Sequence, residues 1–295
     1  MSSSWLIVVA SMLFATMGVC VKLAAAHYSS GEIVMYRGIA GALIILAVSR
    51  WRHDSLRTDV PARHLLRSAT GVTALCLWFY SIGVLPLATA MTLNYTSSLW
   101  LALFLVGSAA VIGTQRVDTR LVVAAVLGFT GVVLVLRPTI EQGQLWGGLM
   151  GLLSGMVSAF GYLQVAALGR AGETESRIVF YFSIGGAIGG AALAAVSGWH
   201  AHTAAGIGLL LAVGTLATVA QLLLTRAYAR GPTLVNASLQ YLGIAFSYVY
   251  GVLLFDDHVT PLGVIGMAII VGAGVLASLL RTRQARSELA ARARP

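Results

Sequence analysis

The sequence predicts an all-α membrane protein with ten transmembrane helices, arranged as two inverted repeats of five helices each. Three observations support this fold class. Charged residues are scarce, apolar runs of membrane-spanning length follow one another along the chain, and basic residues gather at alternate connections between those runs. Together they predict a chain whose main solvent is lipid.

Charge and hydropathy exclude an ordinary soluble domain. Of the 295 residues, 58% are hydrophobic and only 10% are charged, and the mean hydropathy is +0.86. A soluble domain carries roughly 25% charged residues, so this chain has too few charges to cover a water-facing surface. Cys20 and Cys76 lie in apolar runs and belong to no metal-binding pattern, so no cofactor is predicted.

The apolar runs can be counted at about 20 residues per crossing. The first run ends in small residues, as a signal peptide does, but no Lys or Arg precedes Trp5 and the run is longer than a usual signal sequence. We therefore expect it to be an uncleaved span. The ten predicted spans are 4–25, 32–49, 66–84, 88–112, 119–137, 145–167, 177–198, 205–226, 233–254 and 261–281.

The positions of the basic residues indicate the orientation. With both termini in the cytoplasm, sixteen of the nineteen Lys and Arg residues fall in cytoplasmic segments, and the other three are Lys22, Arg37 and Arg137. The positive-inside rule therefore predicts a multi-pass protein of the cell inner membrane with both termini cytoplasmic. The net charge of +9 then reflects topology and anionic membrane lipids, and no nucleic-acid partner is predicted. The predicted cytoplasmic set is Arg50, Arg52, Arg57, Arg63, Arg67, Arg116, Arg120, Arg170, Arg177, Arg226, Arg230, Arg281, Arg283, Arg286, Arg292 and Arg294.

An internal repeat relates the two halves of the chain. At an offset of 146 residues, Pro86 aligns with Pro232, Asn94 with Gln240, and Tyr95 with Tyr241. Five spans per half is an odd number, so the halves must be inverted in the membrane, as in many carriers. The predicted division is 1–138 for the first repeat, 139–281 for the second and 282–295 for a basic cytoplasmic tail. Glycines spaced as small-x-x-x-small, at 147–155 and 185–190, predict close helix packing and not nucleotide binding.

A set of short motifs lies along the chain in a characteristic order. They are Met35-Tyr36-Arg37, Leu65-Leu66-Arg67, Trp78-Phe79-Tyr80, Leu85-Pro86-Leu87-Ala88, Arg137-Pro138, Leu254-Phe255-Asp256 and Thr260-Pro261-Leu262-Gly263. In this order they resemble the EamA family of the drug/metabolite transporter superfamily, most closely the branch that contains S-adenosylmethionine carriers. Gln115 departs from the acidic residue that relatives often have there. The resemblance implies two inverted five-helix bundles around a central cavity that opens alternately to each side.

Two basic residues inside predicted spans are candidate substrate-binding groups, because ionisable groups are costly in lipid. Arg37 lies about a turn and a half inside the second span, and Lys22 lies near the outer end of the first. If both face a cavity, they form a positive mouth suited to a carboxylate or phosphate. The alternatives are snorkelling to the headgroups for either residue, or pairing of Arg37 with Glu32.

Aromatic and amide side chains supply the other candidates. Amides could hydrogen-bond a substrate and aromatic faces could stack on a planar or cationic one, although such residues also form interface belts and link helices. Asn94, Tyr95, Gln240 and Tyr241 are favoured because they lie in repeat-related spans away from the ends. The remaining candidates are Trp78, Tyr80, Tyr162, Gln164, Gln221 and Asn236.

The predicted function is secondary transport. The resemblance implies a carrier that moves a small polar or amphipathic metabolite, amino-acid-like or nucleoside-like, by alternating access, with export as the expected direction. A lipid or lysolipid translocase is the alternative. An enzyme is not predicted, because every His lies in a loop or at a span end and no span holds a pair of Asp. No Walker sequence occurs, so transport driven directly by ATP is not predicted either. The expected partners are a small-molecule substrate and membrane lipids, with a homodimer left open.

Overall fold

The structure, a computed structural model, describes residues 3–97, 99–100, 103–104, 123, 126–135, 143–230, 241–258 and 260–292. Within these ranges every regular element is an α-helix, which confirms the predicted all-α class. The numbers below label described helical segments and are not a count of membrane spans. In chain order the segments are α1 Ser3–Ala24, α2 Ser30–Arg52, α3 Pro61–Val84, α4 Leu87–Tyr95, α5 Val126–Val135, α6 Leu145–Arg170, α7 Glu175–Ser197, α8 Ala204–Arg230, α9 Leu242–Phe255 and α10 Pro261–Arg292.

Six of these helices, α1, α2, α3, α6, α7 and α8, are long and apolar enough to cross a membrane. Shorter apolar helices are α5, α9 and the first part of α10. The chain is therefore built from several membrane-spanning helices joined by short connections, as expected.

Local signals set the helix ends. Ser29 precedes α2 and forms a capping box with Glu32, because the Ser29 hydroxyl accepts from the Glu32 N–H while the Glu32 carboxylate accepts from the Ser29 N–H. Pro61 occupies the first turn of α3, where its missing N–H has no helical partner to lose. His53 ends α2 in the left-handed conformation at φ 57°. These ends lie within a few residues of the predicted boundaries, except that α3 begins five residues earlier.

The predicted fourth span, 88–112, is interrupted at Thr96. The Thr96 hydroxyl donates to the Leu93 carbonyl at 2.6 Å, and the Thr96 N–H turns to the same carbonyl. A threonine side chain that bonds back to its own turn competes with the helical ladder. Helical hydrogen bonding resumes from Leu99 to the Thr96 carbonyl. The first part of this predicted span is thus a separate short helix, α4.

The basic tail is not a separate element in the described residues. α10 runs without a break from Pro261 to Arg292, past the predicted span end at 281. Arg, Gln, Glu, Leu and Ala in this stretch are good helix formers, so the helix continues beyond the apolar segment.

Close glycine contacts join α2 to α7. A Cβ atom added at Gly31 would lie 2.7 Å from the Ala194 nitrogen, and one added at Gly190 would lie 2.7 Å from the Gly31 carbonyl oxygen. A Cβ at Gly38 would lie 2.5 Å from the Ser183 carbonyl oxygen. The two backbones touch, which only small residues permit.

The glycine run at 147–155 forms a second packing surface, on α6. A Cβ atom at Gly151 would lie 2.6 Å from the Ser81 hydroxyl of α3, and one at Gly155 would lie 2.7 Å from the Leu93 carbonyl oxygen of α4. The prediction that the glycine-rich segments serve helix packing is confirmed at both surfaces.

The helix neighbours follow a regular scheme. The most extensive contacts join α2 to α7, α1 to α8, and α3 to α6. Next come α2 with α8, α3 with α7, α1 with α9, α4 with α6, and α4 with α9. Gly131 of α5 and Gly266 of α10 pack backbone to backbone. Each helix of the first half therefore packs mainly on helices of the second.

Candidate binding site and the two ends of the bundle

Arg37 lies in the interior of the bundle and not at its surface. Its side chain is 5% exposed, and its guanidinium carbon lies 5.1 Å from the centre of the Phe182 ring on α7. Its Nε has no hydrogen-bond partner. The alternative pairing with Glu32 is absent, because the Glu32 carboxylate bonds to Ser29 and His200. Burial also excludes snorkelling, so neither alternative applies to Arg37.

Arg67 is a second buried arginine, which the sequence analysis assigned to the cytoplasmic set. It is 7% exposed, and its guanidinium carbon lies 4.3 Å from the same Phe182 ring. Its Nη1 lies against Gly71, one turn further along α3, so the side chain extends into the bundle. Gly161 of α6 leaves room on another side, since a Cβ there would be 3.6 Å from Nη1. Gly71, one turn after Arg67, is the sequence feature that could have indicated this arrangement, and the sequence analysis did not use it.

The two guanidinium groups carry like charges that no nearby carboxylate of the described residues balances. Because both stack on Phe182, their carbons lie within about 10 Å of each other. Among the described residues, no carboxylate lies within ion-pair distance of either group. At an effective dielectric constant of about 20, like charges at this separation repel by roughly 2 kcal/mol. An anion placed beside them would remove this cost.

Lys22 is occupied by an ion pair and does not join Arg37 in a positive mouth. Its Nζ donates to the two Asp257 oxygens at 2.8 and 3.0 Å and to the Leu85 carbonyl at 3.1 Å. Asp257 also accepts from the Leu87 N–H at 2.8 Å, at the first turn of α4. The carboxylate thus joins α1, the start of α4 and the α9–α10 connection. We call this group of contacts the Lys22–Asp257 clasp.

A second contact lies at the same end of the bundle. The fully buried Glu32 at the start of α2 accepts from the His200 N–H at 2.9 Å, and its Oε2 lies 2.7 Å from His200 Nδ1. His200 belongs to the α7–α8 connection. Both contacts at this end therefore link the first half of the chain to the second.

The opposite end is held by Glu173 in the α6–α7 connection. Thr58 donates to Glu173 Oε1 at 2.8 Å. His64 Nε2 lies 3.2 Å from Oε2, without the alignment of a hydrogen bond, and Arg177 Nη1 lies 3.8 Å from the same oxygen. Burial by itself raises the pKa of the Glu173 carboxyl. The contacts with Thr58 and His64 and the charges of His64 and Arg177 outweigh it, so the pKa lies below the ordinary 4.5.

This Glu173 cluster predicts a pH dependence of stability. A carboxyl whose pKa is lowered by folding stabilises the fold above its unfolded pKa, and the contribution is lost as the pH falls through the folded value. We expect Glu173→Gln to reduce the free energy of unfolding at pH 7 by about 1–3 kcal/mol. The difference from wild type should shrink steadily below pH 4.5. Unfolding of both proteins across this pH range measures it, and a difference independent of pH would contradict the assignment.

The repeat-related residues Asn94, Tyr95 and Tyr241 lie together in the interior. The Asn94 amide donates to the Ser154 hydroxyl at 3.0 Å and reaches Ser158 at 3.5 Å. The Tyr95 and Tyr241 rings meet edge to face with their centres 6.3 Å apart, and each residue is 7% exposed. These contacts bring side chains of both halves together, between the end held by the Lys22–Asp257 clasp and the end held by the Glu173 cluster.

The other predicted residues are distributed more widely. Trp78 is buried and its indole Nε1 has no hydrogen-bond partner, whereas Tyr80 is 45% exposed. Gln164 accepts from the Thr70 hydroxyl at 2.7 Å. Tyr162 is partly exposed and close enough to Arg67 to interact with its charge, and Gln221 on α8 is half-buried. Asn236 and Gln240 lie outside the described residues.

Comparison with known proteins indicates a family. The profile of the EamA-like transporter family matches residues 1–137. The first part of this chain is therefore similar to the EamA-like transporter family. Over 95% of its length it is 29% identical to the pseudopaline exporter of Pseudomonas aeruginosa, of which it covers 96%. It is 21% identical to an S-adenosylmethionine uptake transporter of Rickettsia bellii, with 83% of this chain and 82% of the relative aligned. The resemblance predicted from the motifs is confirmed.

A solved structure supports the fold of this chain. One crystal structure of a protein superposes with a TM-score of 0.66 at 18% identity, over 96% of this chain and 98% of the other. Family, relatives and membrane-spanning helices together establish a multi-pass membrane protein that transports a small molecule. Its named relatives are transporters and not enzymes.

Proposed function

We propose that this chain is a secondary carrier that moves a small polar or amphipathic metabolite, amino-acid-like or nucleoside-like, by alternating access. One observation carries the proposal. Polar and aromatic side chains of both halves meet inside the bundle, at Tyr95 and Tyr241, while separate polar contacts hold the two halves together at each end. A central site between two closable ends is the arrangement that alternating access requires.

The helix neighbours support two inverted repeats of five spans. A two-fold relation between the halves pairs α1 with α6, α2 with α7, α3 with α8, α4 with α9 and α5 with α10. Under this exchange the α1–α8 contact becomes α6–α3 and the α1–α9 contact becomes α6–α4, and both of these contacts are present. The contacts α2–α7, α4–α9 and α5–α10 map onto themselves. This is the scheme of a pseudo-two-fold axis in the membrane plane. It fits the predicted repeats at 1–138 and 139–281.

Alternating access gives a role to the polar contacts at the two ends of the bundle. The Lys22–Asp257 clasp and the Glu32–His200 contact close one end, and the Glu173 cluster closes the other. We propose that each end opens in turn while the other stays closed. From the positions of the basic residues, we propose that the Glu173 end and both termini lie in the cytoplasm and that the protein lies in the inner membrane. The relatives include an exporter and an uptake transporter, and we propose export here.

A thermal-shift screen tests this function. Purified protein is screened against water-soluble metabolites and, in parallel, against lysolipids. We expect a soluble compound to raise the unfolding midpoint, since a ligand at 100 times its dissociation constant stabilises by about 2.7 kcal/mol.

Matched tyrosine variants locate the binding site. The stabilisation should weaken in Tyr241→Phe and persist in Tyr248→Phe, because Tyr241 precedes α9 and is buried, whereas Tyr248 lies within α9 and is 39% exposed. Stabilisation by lysolipids alone would overturn the metabolite carrier in favour of a lipid translocase.

A further inference from the structure

We propose that Arg37 and Arg67, which both stack on Phe182, form a binding site for an oxyanion, a carboxylate or phosphate group carried by the transported metabolite. The inference rests on the proposed function and names the chemical class of its substrate. It adds Arg67 and Phe182 to the site and assigns the two arginines a joint role.

The two arginines differ from the partly buried Lys22 in having no anionic partner among the described residues. Lys22 contacts both oxygens of Asp257. Arg37 and Arg67 are more than nine-tenths buried, the Nε of each has no hydrogen-bond partner, and no described carboxylate reaches either group. Buried charges of this kind are expensive and mark functional sites in membrane proteins.

The geometry leaves the arginines available for recognition. A guanidinium group that stacks on an aromatic ring uses its face for the ring and keeps its N–H edges for hydrogen bonds. Phe182 contacts both guanidinium groups and satisfies none of their N–H donors. The fork of N–H groups at the edge matches two oxygens of a carboxylate or phosphate.

Neighbouring groups suit an anion and not a cation. One turn from Arg37, the Ser183 and Thr218 side-chain oxygens would lie 2.6 and 3.0 Å from a Cβ at Gly41. Thr218 donates its hydroxyl hydrogen to the Gly214 carbonyl, so Ser183 is the hydroxyl of this pair that could donate to an anion. Two positive charges would repel a cationic substrate and attract a dianionic one most strongly. We therefore expect dicarboxylates to bind more tightly than monocarboxylates.

Calorimetric titration of the purified protein tests the proposal with simple probes: succinate, acetate, inorganic phosphate and methylammonium. We expect succinate and phosphate to bind, acetate to bind more weakly, and methylammonium not to bind. In Arg67→Met, succinate affinity should fall about 30- to 100-fold, as when one partner of a buried charge pair is removed. The control Arg63→Met removes an equal charge one turn earlier on α3, where Arg63 is exposed, and should change affinity by less than about threefold.

Substitutions at two glycines test whether the position of the Arg67 guanidinium matters, without changing the charge of the protein. A Cβ at Gly71 would collide with Arg67 Nη1, whereas a Cβ at Gly161 would lie 3.6 Å from it. Gly71→Ala should therefore weaken succinate binding and Gly161→Ala should not. The unliganded Arg67→Met protein should unfold at or above the wild-type midpoint, because an unpaired buried charge has been removed. A lower midpoint would show that Arg67 has a structural role and would overturn the proposal.

The outcomes separate this inference from the proposed function. Succinate and phosphate binding lost in Arg67→Met supports the oxyanion site. If metabolites stabilise the protein through Tyr241 but no anion binds, the carrier stands and the oxyanion site is wrong. If only a lysolipid phosphate binds, the site recognises lipid, and both the metabolite carrier and its substrate class are overturned.

Discussion

Gly190→Ala is expected to destabilise the protein by about 2 kcal/mol. Overpacking at a rigid contact costs about 3 kcal/mol, and the higher helix propensity of Ala offsets about 1 kcal/mol of that cost. A Cβ atom at this position would collide with the Met35 nitrogen and lie 2.7 Å from the Gly31 carbonyl oxygen. Both atoms belong to the α2 backbone, so no side-chain rotation can relieve the contact. The two helices would have to separate along their whole crossing.

Gly208→Ala is the matched control for Gly190→Ala. Gly208 lies on α8, and a Cβ atom there would meet nothing within 4 Å. The substitution should be neutral or should stabilise the protein by up to about 1 kcal/mol through helix propensity. Unfolding of both variants in mixed micelles gives the comparison. Equal shifts for the two variants would show that the α2–α7 contact does not depend on the missing side chain.

Breaking the Lys22–Asp257 clasp is the second change expected to have a large effect. The side chains are 16% and 11% exposed, and Asp257 also holds the Leu87 N–H. Lys22→Met or Asp257→Asn should each reduce the free energy of unfolding by about 3 kcal/mol, because each leaves a partly buried charge without its partner.

A double-mutant cycle isolates the clasp from other effects. The Lys22→Met/Asp257→Asn protein should be more stable than the sum of the single effects predicts, with a coupling of about 2 kcal/mol. Asp256→Asn is the control, since Asp256 is exposed beside Asp257 and Asn tolerates its left-handed conformation at φ 50°. Its stability should stay within about 0.5 kcal/mol of wild type. Additive single effects would show that the two charges do not stabilise each other.

Much of the fold was accessible from the sequence because lipid imposes simple rules. An isolated span must be apolar and helical to satisfy its backbone, so the limits of α1, α2, α6 and α7 follow from hydropathy to within a few residues. Two helix limits depart from the hydropathy pattern because of single side chains. Pro61 starts α3 before the apolar run begins, and the Thr96 hydroxyl interrupts the predicted fourth span.

The candidate site was harder to predict because its contacts join distant parts of the chain. Arg37 was expected to be a binding candidate, and burial supports that interpretation. Arg67 was assigned to the cytoplasmic set because it lies at the start of the predicted third span, 66–84. That position does not reveal which way its side chain points. That direction depends on Gly71, on Gly161 of α6 and on Phe182 of α7.

Lys22 shows the same limit. Its pairing with Asp257 spans 235 positions, and hydropathy contains no information about it. Tyr95 and Tyr241 were more accessible, because the internal repeat had already aligned them and made both binding candidates. Their contact itself was not predicted and is seen only in the structure.

Alternating access at the central site is tested most directly by the two-sided reactivity of a single cysteine. Tyr241→Cys in a Cys20→Ser/Cys76→Ser background is treated with a membrane-impermeant thiol reagent in right-side-out and inside-out vesicles. The account predicts reaction from both sides. It also predicts that a stabilising metabolite, at a concentration raised to offset the weaker binding of this variant, protects the thiol against both. Reaction from one side only, unchanged by any metabolite, would contradict a central site that opens alternately to each side of the membrane.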